Sequence, residues 1–227
     1  MREEAKNLLE GKNAEIAGAA FSLLTLLAGS VFVTMQGLGS QPGALLLSLA
    51  FGGLFAPWLA KQEPDKFIKH LPHWFGIRFE KTTIYGIIIG LTVGVLLTAS
   101  EVVIGLLAGG LQHAIPGMAP EHNTLEQKVG IIVGAPFIEE IIWRHALFGA
   151  LLLSMVKVGV RHSVALVTAL IYSSVMFALA HHWKTPVGWL FTGLSGAAYA
   201  GIYYYGRRNL SASMSAHSSS NAFAVFI

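Results

Sequence analysis

The chain has 227 residues, 54% of them hydrophobic and only 12% charged, with a mean hydropathy of +0.60, outside the range of ordinary soluble domains. It has no cysteine, which excludes disulfide and thiolate chemistry. Its formal net charge of +3 says less than where the Lys and Arg residues stand, and nucleic acid drops out as a partner.

In chain order, residues 1–15 are polar and of mixed charge, without a small-x-small cleavage pattern leading to a polar mature domain; no removable signal peptide is expected. Apolar runs follow at about 16–37, 43–60, 82–111, 127–156, 163–182, 186–206 and 209–227, each about long enough for a hydrocarbon core of roughly 30 Å. The expected fold is all-α, a polytopic transmembrane bundle of about seven spans. Between 61 and 81, Phe67, Ile68, Leu71, Trp74, Phe75 and Ile77 alternate with Lys66, Lys69, Arg78 and Lys81, as in a segment lying on a membrane surface. The expected organisation is a polar segment at 1–15, membrane helices with that surface segment at 16–124, and a core at 125–227.

With seven spans, 12 of the 15 Lys and Arg residues fall on the side of the N-terminus, while only Lys128 and Lys184 fall on the other. Positive residues accumulate on the cytoplasmic side. The expectation is an integral, multi-pass protein whose first partner is the lipid bilayer and whose N-terminus is cytoplasmic.

Glu139, Glu140 and Arg144 interrupt the apolar run from Val129 to Val156, where an unpaired charge costs about 2.5–3.5 kcal/mol. Glu140 and Arg144 are four apart and share a helix face, whereas Glu139 points about 100° away. One acid is held by the arginine; the other is available. His181 stands four after Phe177, and His217 four before Asn221, on two later runs. Counted outward from the loop at 158–162, Glu139 and His181 both lie about 27 Å up and can meet, while the count from Arg208 leaves His217 at about 14 Å and Asn221 at about 20 Å.

A carboxylate and an imidazole converging on one water can orient it and take its proton. A second His with an Asn can donate hydrogen bonds to the oxygen that becomes negative when a peptide carbonyl is attacked. Ser211, Ser213, Ser215, Ser218, Ser219 and Ser220 keep the last helix narrow, so that a neighbour can approach closely and water can enter.

The sequences Glu139-Glu140-Ile-Ile-Trp-Arg144, Phe177-Ala-Leu-Ala-His181 and His217-Ser-Ser-Ser-Asn221, in this order, resemble the three motifs of the type II CAAX prenyl endopeptidase family, also called the CAAX protease and bacteriocin-processing membrane family. Gly193, Gly196 and Tyr199 also look like its penultimate helix, and the resemblance covers about 125–227. It implies an intramembrane endopeptidase acting on a membrane-associated peptide or lipidated protein. Glu139 with His181 would activate water, Glu140 and Arg144 would support them, and His217 with Asn221 would form the oxyanion hole. The resemblance implies a glutamate-type mechanism without a cofactor, with a divalent metal such as zinc as the alternative. Trp143 and His145 depart from the family pattern, which has Phe and Gly there.

Three other readings compete. Gly193-Leu-Ser195-Gly196 imitates a rhomboid-like serine nucleophile, with His217 as base. A zinc protease would need ligands gathered from single residues, since no His-Glu-x-x-His occurs. A non-enzymatic transporter or immunity protein would use the acids to relay protons or bind a partner. Gly86, Gly90 and Gly94 read as a helix-packing stripe, Glu101 as a charge where the third span ends, and Trp189 as an interface anchor.

Overall fold

The computed structural model describes residues 81–107, 124–181 and 186–226, together with residue 16. Apart from residues 16 and 81, the polar segment at 1–15, the runs expected at 16–37 and 43–60 and the surface segment near 61–81 lie outside the described residues. Every described element is a helix. Helix α1 is Lys81–Leu107, α2 Leu125–Val129, α3 Ala135–Glu140, α4 Leu151–Lys157, α5 His162–Ala180, α6 Pro186–Tyr205 and α7 Leu210–Phe226. Two wider π-helical stretches interrupt the series, π1 at Gly130–Gly134 and π2 at Ile141–Ala150. Helices thus stand at the last five expected runs.

Local chemistry explains the ends. Thr124 caps α2 reciprocally: its hydroxyl accepts from the Gln127 amide at 3.3 Å, and its own amide donates to the Gln127 side chain at 2.8 Å, satisfying two N-terminal donors. After α4 the chain leaves through Gly159, whose φ of +95° suits a residue without Cβ. Between α6 and α7, Arg207 and Arg208 both have positive φ. Asn209 then caps α7 by accepting from the Ser211 amide, while its Nδ2 donates to Thr83 Oγ1 of α1, each at 3.0 Å.

Two described helices, Thr83–Leu107 and His162–Ala180, are long and apolar enough to cross a membrane. Only 17% and 33% of their most apolar windows are buried, so most of their apolar side chains face outward, unlike a soluble core helix. Tyrosine and glycine dilute α6, serine dilutes α7, and the π stretches divide 125–157 into short pieces; these helices do not meet the same test. Helix α1 runs six residues beyond Glu101, so this acid does not mark the end of a span as expected; it sits inside the helix.

The chain falls into two compact units, Met1–Leu71 with Ala146–Ala169, and Pro72–His145 with Leu170–Ile227. In the second unit α1 and α7 meet along small residues. A Cβ on Gly90 would strike the Ala212 carbonyl and the Ser215 hydroxyl, and one on Gly94 would strike the Ala216 carbonyl and the Ser219 hydroxyl. The Ser215 and Ser219 hydroxyls lie 3.2 and 3.0 Å from the Ile87 and Leu91 carbonyls of α1, and the Thr98 and Ser220 hydroxyls are 2.5 Å apart. The glycine stripe packs as expected, and serine supplies the polar side of the seam.

Candidate active site

All six charged or polar residues of the three motifs lie in the second unit. Glu140, the last residue of α3, is fully buried with Arg144 one turn on, Oε2 being 3.4 Å from the guanidinium Nε. Its Oε1 accepts from His217 Nδ1 at 3.0 Å. The Arg144 guanidinium lies 4.5 Å from the Phe177 ring centroid and 5.4 Å from that of Tyr199, so aromatic faces take up part of the charge that water would otherwise solvate. The pairing of Glu140 with Arg144 expected from their spacing is present.

Glu139 faces the other way. Its Oε2 is 3.8 Å from His181 Nε2 and 3.8 Å from His217 Nε2. Both imidazoles are held through their other nitrogen. His181 Nδ1 donates to the Phe177 carbonyl at 2.7 Å; a carbonyl can only accept, so the hydrogen is on Nδ1 and Nε2 is the nitrogen presented to Glu139. His217 Nδ1 is held in the same way by the Glu140 carboxylate. At 3.8 Å the Nε2 atoms are beyond direct hydrogen bonding with Glu139, at a separation that suits a bridging water.

His217 stands level with His181, not one to two turns lower as the residue count implied. That count took the helices to start level at their loops, which residue spacing along one helix does not fix. The seam with α1 also fixes where α7 stands.

The walls are apolar and ordered. Tyr199 stacks on His217 at 5.0 Å and 22°. Phe177 meets His181 edge-on at 4.6 Å and Trp143 at 5.9 Å. His145, the second departure from the family pattern, pairs its Nδ1 with the Tyr203 hydroxyl at 2.8 Å. Tyr199, four residues before Tyr203, shares its helix face, and that spacing was the signal available in the sequence for this second aromatic pair. Trp189 donates its indole N–H to the His181 carbonyl at 3.0 Å, so it holds the His181 end of α5 instead of simply anchoring at an interface.

Asn221 does not join the group around Glu139. Its Nδ2 donates to the Ile131 carbonyl of π1 at 2.8 Å. Ser195 is not served by His217, whose two nitrogens face Glu140 and Glu139, and Gly193 and Gly196 pack against Ala178 and Phe177 of α5. Among the described residues, no three His, Cys, Asp or Glu side chains converge closely enough to form a metal-binding group.

Residues 123–223 match the family model described as type II CAAX prenyl endopeptidase Rce1-like. All three motifs lie inside the matched stretch. Comparison with curated proteins and with solved structures returned no match.

Proposed function

We propose that this protein is a multi-pass intramembrane endopeptidase of the CAAX type, with a cytoplasmic N-terminus, that hydrolyses a peptide bond of a membrane-associated, prenylated substrate by a glutamate-activated water. The observation that supports this reading most is the convergence of Glu139 Oε2 and two imidazole Nε2 atoms, each 3.8 Å away, within the matched stretch.

The water sits between Glu139 and His181. Glu139 takes its proton as the oxygen attacks the peptide carbonyl carbon, and His181, fixed by the Phe177 carbonyl, orients the second hydrogen. Charge then develops on the former carbonyl oxygen. His217 in its protonated form donates Nε2–H to it, and the Glu140–Arg144 pair behind Nδ1 holds the ring in place. Collapse of the tetrahedral intermediate breaks the C–N bond, and the proton on Glu139 passes to the leaving amine. His217, instead of the His217–Asn221 pair implied by the family resemblance, is the donor to that oxygen.

The test is cleavage of prenylated and unmodified membrane peptides by the purified protein, with and without chelator, alongside Glu139→Gln. The expected result is that the prenylated peptide is cut, that chelator leaves the rate unchanged, and that Glu139→Gln lowers kcat by about 10²–10⁴-fold, the range of a lost general base, with the protein still folded. Loss of activity with chelator overturns the metal-free mechanism. Full activity in Glu139→Gln overturns the role of Glu139, and proton flux without cleavage would favour a transporter.

A further inference from the structure

The Asn221 hydrogen bond has a cause in the chain it reaches. The Ile131 carbonyl lies in π1, where bonding runs from residue i to i+5: the Ala135 amide donates to the Gly130 carbonyl. By the same register the Ile131 carbonyl would be served by the nitrogen of residue 136. That residue is Pro136, buried in the first turn of α3, and its nitrogen carries no hydrogen. The Ala135 amide, the donor an ordinary α-helix would supply to Ile131, is already taken by Gly130. The two backbone nitrogens placed to bond Ile131 are therefore both unable to do so, and Asn221 Nδ2 stands there at 2.8 Å. The bond is part-buried, and a carbonyl shielded from water and left without a partner is costly.

We infer that Asn221 is a positioning residue: it replaces the backbone hydrogen bond removed by Pro136 and so locks α7 to the stretch that presents Glu139 and Glu140. Pro136 precedes Glu139 by three residues and His217 precedes Asn221 by one helical turn, so one bond sets the register of both halves of the site. Its effect on activity rests on the endopeptidase reading; its effect on structure does not.

The experiment is a double-mutant cycle on the full-length protein in detergent, with Asn221→Ala, Pro136→Ala and the two combined, reading Tm, kcat and KM. Alanine at 136 restores an N–H. If the wide turn persists, that N–H reaches Ile131 directly; if the segment tightens to an α-helix, the Ala135 amide reaches Ile131 instead. In both cases the carbonyl regains a backbone donor. The expected result is a lower Tm and a kcat reduced by about 100-fold in Asn221→Ala, the scale of a misplacement of about 1 Å, with KM little changed, and recovery of both Tm and most of kcat in the double variant.

If the double variant regains Tm but not kcat, Asn221 contacts the reacting oxygen and the positioning role is overturned. If the two substitutions are additive in Tm, the bond is not the link between them and the inference fails. Should the wild type cut no peptide, the endopeptidase reading fails while the Tm cycle still decides this one. Should Pro136→Ala not fold, amide hydrogen exchange in Asn221→Ala decides it: faster exchange confined to 130–140 supports the lock, and unchanged exchange there overturns it.

Discussion

The two faces of α7 are built from different side chains and do opposite things. Toward α1 the helix shows Ala212, Ser215, Ala216 and Ser219, which meet Gly90 and Gly94 so closely that no Cβ fits. Toward the motif-bearing stretch it shows His217 and Asn221, which reach Glu140 and the Ile131 carbonyl. The first face needs small side chains because lipid supplies no hydrophobic drive between helices, and close packing with hydroxyl bonds must serve instead. The second needs long polar ones because it has to bring nitrogen atoms to a buried carboxylate. The comparison teaches that the seam is the ruler for the site: α7 sits where the glycines of α1 let it sit, and that places His217.

Breaking the site face should have the larger effect on stability. Arg144→Met leaves Glu140 buried without its cation and should destabilise the protein by about 3–5 kcal/mol, whereas Glu140→Gln with Arg144→Met should recover most of that stability and none of the activity. Denaturation of the purified variants in detergent, paired with a cleavage assay, reads both. If the double variant is no more stable than Arg144→Met, the ion pair is not the element that holds His217.

Breaking the seam should cost less and still reach the site. Gly94→Ala puts a methyl against the α7 backbone and should destabilise by about 1–3 kcal/mol, the usual cost of overpacking. Because the seam sets the position of His217, kcat should fall as well; a stable Gly94→Ala with full activity would break the link between the two faces.

Smaller effects sharpen the outline. Tyr203→Phe removes the hydroxyl beside His145 and should cost about 1 kcal/mol, seen as a modest drop in Tm with cleavage retained. Ser195→Ala should change neither stability nor rate, since the serine lies outside the group around Glu139; loss of cleavage in this variant would revive a serine nucleophile.

Much of this was legible in the residues alone. Charges in an apolar run are costly enough that Glu139, Glu140 and Arg144 announced themselves, and four-residue spacing assigned Glu140 to Arg144. The glycine stripe of α1 and the serines of α7 announced a close helix pair. Other features were hidden for physical reasons. An indole N–H on Trp189 reads the same whether it meets lipid headgroups or the His181 carbonyl, because both are acceptors near a helix end. The height of His217 was misjudged because a residue count along one helix does not say where a neighbouring helix starts, and Glu101 was placed at the end of a helix that continues past it.

Sequence by itself determined that the chain is apolar and helical, which acids and imidazoles are too costly to be incidental, and which motifs they form, because transfer free energy and helical periodicity are local properties of residue type and spacing. Only the tertiary structure decided that both imidazoles present Nε2 to Glu139 and that Asn221 bonds a carbonyl deprived of its donor by Pro136. Those outcomes depend on which hydrogen-bonding group on one helix meets which vacancy on another, and pairing across helices is fixed by packing, not by spacing along the chain.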